Sequence, residues 1–443
     1  MIAQALFGTL FIAALALFAR NIRRIGRNIH LGRPEARNDR KGERWALMAR
    51  VALGQSKMVA RPVAGVMHIL IYAGFVIINL EVLEIVIDGL FGTHRVFAFL
   101  GGFYDFLIGG FEVLAVGVLL ACVVFIARRA VLQLPRFHKP EMKGWPSKDA
   151  MIILVTEIAL MGAFLKMNAA DQVLAQRGVE HYSTAGSYPV SALLQPFFMG
   201  MSDGAVIAFE RFFWWFHILG ILAFLNYLVV SKHLHILLAF PNVWYSKLAP
   251  RTEFVNMPRI TGEVRSMVDP SVPPPDPAQP RTVAGVEMTE RFGAKDVFDL
   301  SWKSLMDAYS CTECGRCTSE CPANLTGKLL SPRKIMMDTR DRLEEVGRAI
   351  DAKGKWEDDG KSLHSRISEE ELWACTTCNA CTQACPVNID PVSIIMEMRR
   401  YKVMEESSTR PALTSMFNNV ENNGAPWAFG PDRRMEWADE MKS

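Results

Sequence analysis

Residues 311–322 read CTECGRCTSECP, and residues 375–386 read CTTCNACTQACP. Each is C-x2-C-x2-C-x3-C-P, the spacing of bacterial [4Fe-4S] ligand runs. Three thiolates with two residues between neighbours converge on three corners of one cube. The fourth lies too far along the chain to close it, and where two such runs occur it ligates the other cluster. The spacing assigns Cys311, Cys314, Cys317 and Cys385 to one cluster, and Cys375, Cys378, Cys381 and Cys321 to a second. The alternatives are structural zinc, which favours paired C-x2-C units, and disulfides, which need an oxidising compartment. Eight of the nine cysteines lie in these runs. Cys122 stands apart in an apolar segment and reads as a small packed hydrophobe.

The chain has 443 residues, half of them hydrophobic, with a net charge of only +3. The length suits two or three domains, and the small charge excludes a global argument for nucleic acid. Charge is distributed unevenly. Residues 1–19 are almost wholly apolar, and Arg20, Arg23, Arg24 and Arg27 follow them. A cleavable signal carries its positive charge before the apolar run, so this stretch reads as a retained membrane helix. Further apolar runs cover about 63–91, 106–127, 151–165 and 207–230. All but the fourth reach the ~20 residues a bilayer crossing needs, and Lys166 can snorkel at the fourth run's end.

The loop from Arg20 to Arg61 carries twelve Lys or Arg against three acids, and that from Arg128 to Lys148 six against one. The segment from about Met167 to Val206 has Arg177 as its one basic residue. The positive-inside rule then predicts five helices with the N-terminus outside and everything after the fifth helix in the cytoplasm. The basic loops are expected to set orientation, with contact to anionic lipid heads as the alternative.

The expected architecture is all-α: a five-helix transmembrane bundle over 1–240, a linker over 241–291 that is proline-rich at 269–280, a helical two-[4Fe-4S] ferredoxin-like domain over 292–405, and a tail over 406–443. Helices are predicted from about Pro332 to Ile350 and from Pro391 to Met404. An irregular tail from Gly424 could dock on a partner.

Of nine histidines, His68 lies in the second run, and His217, His233 and His235 lie in or at the inner end of the fifth. Neutral imidazole is a good axial ligand for haem iron. His68 and His235 match in depth, which predicts one b-type haem between them. On a continuous helix His217 would sit about 27 Å from His235, on the same face, with His233 pointing elsewhere. His217 lacks a partner for an outer haem and is expected to help bind quinone instead. Glu81, Glu84, Glu112 and Glu157 lie in the apolar runs, where acids mark proton or substrate paths or hydrogen-bond helices together. His30, His94, His138, His181 and His364 read as ordinary surface residues.

The five runs, His68, His217 and the SKHLH stretch ending at His235 resemble the cytochrome b membrane subunits of the nitrate reductase gamma type. The membrane subunits of heterodisulfide reductase and of the sulfite-reduction-associated complex belong with them. The cysteine-rich part, about Phe292 to Met404, resembles the small iron–sulfur subunit of heterodisulfide reductase. The resemblance implies two histidines on the second span and two on the fifth. This chain keeps three, and the fourth would fall near Ile78. It also implies thiol chemistry on CCG motifs in another subunit, and no CCG occurs here. The expectation is a redox subunit in a bacterial inner membrane, passing electrons between quinone, one haem b, two [4Fe-4S] clusters and a cytoplasmic redox partner. That partner would be a flavoprotein, a CCG-type reductase or an organic acid dehydrogenase. The alternatives are a haem-free iron–sulfur quinone oxidoreductase, and a membrane anchor or ion-translocating module with structural or sensory clusters.

Overall fold

The computed structural model describes residues 1–250, 253–277 and 279–442. Arg251, Thr252 and Ala278 of the expected linker, and Ser443 of the expected tail, lie outside the described residues.

Five helices are long and apolar enough to cross a membrane: Ile2–Ile29, Pro62–Phe91, Gly102–Ala130, Trp145–Gln176 and Asp203–Leu228. Their ends follow local chemistry. Pro62 occupies the first turn of the second helix, where its missing N–H costs nothing, and Gly92 closes it at φ +73°. The fourth helix is not the short one expected. It runs 32 residues because its flanking polar residues find partners inside the bundle. Asp149 accepts from Tyr227 at 2.5 Å, while Asn168 and Asp171 both hold Arg95 at 2.8 Å. An apolar run underestimates helix length wherever polar residues are satisfied internally.

Each span packs on the next in chain order, and the first closes the ring against the second and the fifth. At the end away from the cysteine runs, the 177–202 segment folds over the bundle. Glu112 accepts from the backbone of Val190 and Ser191, and Asp105 from that of Gly186.

The soluble part is helical. Trp302–Ser310 leads straight into Cys311, and Glu369–Ala374 straight into Cys375. Between them runs the predicted long helix, Pro332–Lys353, started by Ser331 and closed by left-handed Gly354. Its Ile335, Met336, Leu343 and Val346 pack in one core with Leu305, Ala308 and the Ile394, Ile395 and Met398 of helix Pro391–Met404. One element departs from all-α. Arg281–Val283 pairs antiparallel with Val286–Met288, inside the segment expected as linker. Ala284 and Gly285 both take positive φ, as a two-residue hairpin turn of the primed kind requires. The tail holds a further helix, Pro411–Asn423.

The basic stretch at the end of the first span and after it forms a docking surface. Arg24 and Arg27 pair with Asp351, Arg33 with Glu397 at 3.1 Å, and Arg61 with Glu320 at 2.8 Å. Arg33 also forms a parallel backbone bridge with Ser301. The hydrophobic core is continuous across this contact, joining Ile25, Ile29, Val51 and Leu228 to the soluble helices. Gly32 allows the approach: a Cβ there would lie 2.7–2.9 Å from the backbone of residues 300–302. Gly32→Val should therefore cost about 1–3 kcal/mol by forcing that backbone apart. Limited proteolysis is expected to release the 292–405 region faster than from the unsubstituted chain.

Candidate functional site

The two cysteine loops share one backbone design. Glu313 and Thr377 take φ +55° and +56°, and Gly315 and Asn379 take +71° and +58°, at matching places in each run. Glycine and asparagine tolerate this region best. Gly315 is also required for space, because a Cβ would meet a guanidinium nitrogen of Arg333 at 2.5 Å. That arginine is fully buried. It donates to Glu141 and to the Arg136 carbonyl, each at 2.7 Å, so the loop between the third and fourth spans braces the first run.

None of the eight cysteines of the runs forms a disulfide. Cys311, Cys314, Cys317, Cys381 and Cys385 line one small cavity. Burial, then the neighbouring Cys314, Cys311 and Cys385, hold the Cys317 thiol well above its usual range. Burial pushes Cys311 and Cys381 up to about 12 and Cys385 to about 11. Cys375 is raised by burial, with Cys321 and Cys378 among the charges acting on it. The fourth cysteine of each run is thus brought beside the other run. Thiols buried this closely ionise together only against strong positive charge, which iron supplies. Among the described residues, no three His, Cys, Asp or Glu side chains converge as one metal ion requires. The cysteines line a gap instead, which suits a cluster better than tetrahedral zinc at ~2.3 Å from each sulfur. Backbone amides of Thr377 and Ile389 point at the sulfurs of Cys375 and Cys385, at 3.4 and 3.3 Å, contacts of the kind that tune cluster potential.

The histidines differ from expectation in how they are held. The fifth helix ends at Leu228, and His235 opens a separate helix, His235–Trp244. Ser231 turns extended and caps the turn between them by accepting from His233 N–H, and Asp149 takes the Lys232 N–H at 3.1 Å. The shared helical face of His217 and His235 therefore does not exist. His217 instead faces the fourth span, with Nδ1 3.0 Å from the Leu160 carbonyl and its ring beside Phe164.

His68 and His235 nevertheless meet, their ring centroids 6.3 Å apart and tilted by 42°. A metal with a nitrogen about 2 Å away on each side separates two imidazole centres by about 6 Å, so the spacing fits an iron between them. The His235 Nδ1 sits 2.9 Å from the Lys232 carbonyl. A carbonyl only accepts, so Nδ1 carries the hydrogen and Nε2 is left as the ligand atom. The His68 Nδ1 is buried without a partner and lacks that outer bond. His233 does not point elsewhere: its ring lies 5.8 Å from that of His235. Burial, then His235 and His68, push its pKa down to about 3, which keeps it neutral.

Lys232 joins the two centres. Its carbonyl orients His235, and its Nζ donates at 2.6 Å to Glu313, the residue before Cys314. Arg340 of the long helix meets the other Glu313 oxygen at 2.9 Å. Burial raises the Glu313 carboxyl, but Lys232 and Arg340 outweigh it and hold the pKa below its usual value. Lys57 donates to the Cys385 carbonyl at 2.9 Å, and Arg316 to the Lys57 carbonyl at 2.8 Å. Sequence reading missed Lys232, Glu313, Lys57 and Arg316, because no spacing rule connects a loop lysine to an acid 81 residues away. Two histidines expected at the surface are half-buried: the His94 Nε2 lies 3.0 Å from buried Asp171, and the His364 Nε2 lies 3.1 Å from the Ala294 carbonyl.

The fold and site define a membrane protein carrying an iron–sulfur domain. Residues 310–389 match the 4Fe-4S dicluster domain. Nearly the whole chain, 99%, aligns at 27% identity with 61% of a probable iron–sulfur-binding oxidoreductase, FadF, of Bacillus subtilis. An EtfAB:quinone oxidoreductase of Syntrophomonas wolfei is 28% identical over 91% of this chain and 55% of its own length. The chain thus spans little more than half of these relatives. Over 23% of this chain and 49% of the relative, it is 34% identical to a CoB-CoM heterodisulfide reductase subunit of Methanosarcina acetivorans. The chain resembles iron–sulfur oxidoreductases of this heterodisulfide reductase-like type. No solved structure matches it.

Glu313→Gln leaves Lys232 and Arg340 facing a neutral amide. Breaking such a buried pair costs about 3 kcal/mol, so the variant should melt several degrees lower. Lys232→Met combined with it should recover part of the loss.

Proposed function

We propose that this chain is an electron-transfer subunit passing electrons between membrane quinone and a soluble redox partner. Its proposed centres are a haem b held by His68 and His235, one cluster on Cys311, Cys314, Cys317 and Cys385, and another on Cys375, Cys378, Cys381 and Cys321. Bound, these groups supply one-electron steps. The protein holds them in order, shields them from water and tunes them through hydrogen bonds.

The observation that carries this reading is the Lys232 bridge. One residue orients His235 through its carbonyl and grips the first cysteine run through its ammonium. The histidine pair is thereby set next to the first cluster, and Arg316, beside Cys314 and Cys385, acts on His68 electrostatically. In the second run Cys378 is exposed, which suits it as the exit toward a partner. The charge asymmetry of the loops supports an exit in the cytoplasm of a bacterium, with the N-terminus outside. A relative named as coupling EtfAB to quinone supports quinone at the membrane end and a redox protein at the other. A flavoprotein or a CCG-type reductase suits that place. A haem-free route from quinone to the clusters is the second reading, favoured by the missing outer bond on His68.

Metal content and spectra decide between them. The purified protein should contain about nine iron atoms per chain, eight in the clusters and one in haem. Reduction should give a sharp b-type band that His68→Ala and His235→Ala each abolish, while the cluster signals remain. Cys378→Ser should remove one cluster signal and spare the other. Clusters that quinol never reduces, and that never reduce quinone, would falsify the electron-transfer reading.

A further inference from the structure

Nearly every acid in the membrane helices is tied down. Glu81 meets Arg95, and Glu84 accepts from Phe97 N–H and the Tyr104 hydroxyl. Glu112 takes Asn168 and two backbone amides, Asp171 takes Arg95, and Glu210 takes Arg211 and Tyr182. These acids hold helices and loops together. Glu157 is different: it makes no hydrogen bond or ion pair with the described residues.

Its place on the fourth span is informative. Ile152 and Val155 are exposed at 41% and 54% and mark the lipid side. At 100° per residue, Glu157 lies about 140° from the first and about 160° from the second. It belongs to the opposite stripe, with buried Ile153, Leu154, Leu160, Met161 and Phe164. Those neighbours are closed off, yet Glu157 itself stays partly accessible. Twelve residues from the helix start, about 18 Å along it, it stands near the middle of a bilayer core of about 30 Å. Buried Cys122 of the third span faces it closely enough to act electrostatically. One turn further, the Leu160 carbonyl holds the Nδ1 of His217. That bond fixes the hydrogen on Nδ1 and leaves Nε2 as an acceptor.

An ionisable group at this depth costs about 3 kcal/mol unless something there bonds to it. A ligand that reaches this carboxyl must be mostly apolar, must arrive through lipid and must carry oxygens that exchange protons. We propose that Glu157 is the proton-exchanging contact of a quinone head group, with His217 Nε2 as the second acceptor. This rests on the quinone-linked reading above. In quinol oxidation both O–H bonds break, and the two electrons would leave one at a time into the haem and cluster chain proposed above, which takes up single electrons. One proton goes to the Glu157 carboxylate and the other to His217 Nε2, and quinone leaves. Quinone reduction is the same step reversed.

The test uses the full chain in lipid nanodiscs with menadiol as reductant. Glu157→Gln should slow menadiol-driven cluster reduction about a hundredfold, the usual range for losing a positioned acid or base, and flatten its pH profile. Cluster content and reduction by dithionite should not change. A Glu157→Gln rate and pH profile equal to those of the unsubstituted protein overturn the assignment. If Glu157→Gln fails to assemble, Glu157→Asp decides, because it keeps the acid but withdraws it by one methylene. A loss of tenfold or more is then expected, and an unaltered rate overturns the assignment. Failure of menadiol to reduce the unsubstituted protein overturns the quinone reading as well, which separates the two outcomes.

Discussion

A buried ion triad ties the membrane bundle to the cysteine-rich domain. Glu313 is 2% exposed and is gripped by Lys232 from the break after the fifth span and by Arg340 from the long soluble helix. Such triads add little net stability, because desolvation consumes most of the Coulomb gain. Their value here is geometric. Lys232 can reach Glu313 only if the fifth helix stops at Leu228, and the same stop turns His235 back toward His68. The arrangement of the histidines and the docking of the first cysteine run are therefore one constraint.

The rest of the docking surface follows from charge. Two stretches rich in arginine and lysine meet a domain that offers acids and backbone carbonyls to them: Asp351, Glu397 and Glu320 to one. In the other, Glu141 reverses the roles and receives Arg333. Residues that the positive-inside rule counts only for orientation are here the adhesive between two parts. The close backbone approach at Gly32 and the shared core between Ile25 and the soluble helices make this a packed contact rather than a tether. A packed contact keeps the histidine pair and the first cysteine run at a fixed separation.

At the opposite end of the bundle, Arg95 is enclosed by Glu81, Asp171 and Asn168 and pins the loop between the second and third spans. Pairing of the buried charges there is what hydrocarbon surroundings demand. Against that background an unpaired Glu157 stands out for its contrast with neighbours of the same type, which residue identity alone does not reveal.

The sequence by itself determined the two cysteine runs, the five apolar helices, the soluble helices at Pro332 and Pro391, and His68 and His235 as candidate partners. These are local properties: covalent spacing, a run of apolar side chains, a proline at a first turn. Only the tertiary structure decided that the fourth span is long, that the fifth breaks before His235, that the basic loops dock, and which acids are bonded. Each of those depends on a partner far away in the chain, such as Tyr227 for Asp149, Glu313 for Lys232 or Asp351 for Arg27. A helix end or a buried charge is fixed by whether its polar groups are satisfied, and that is known only once the chain has folded around them.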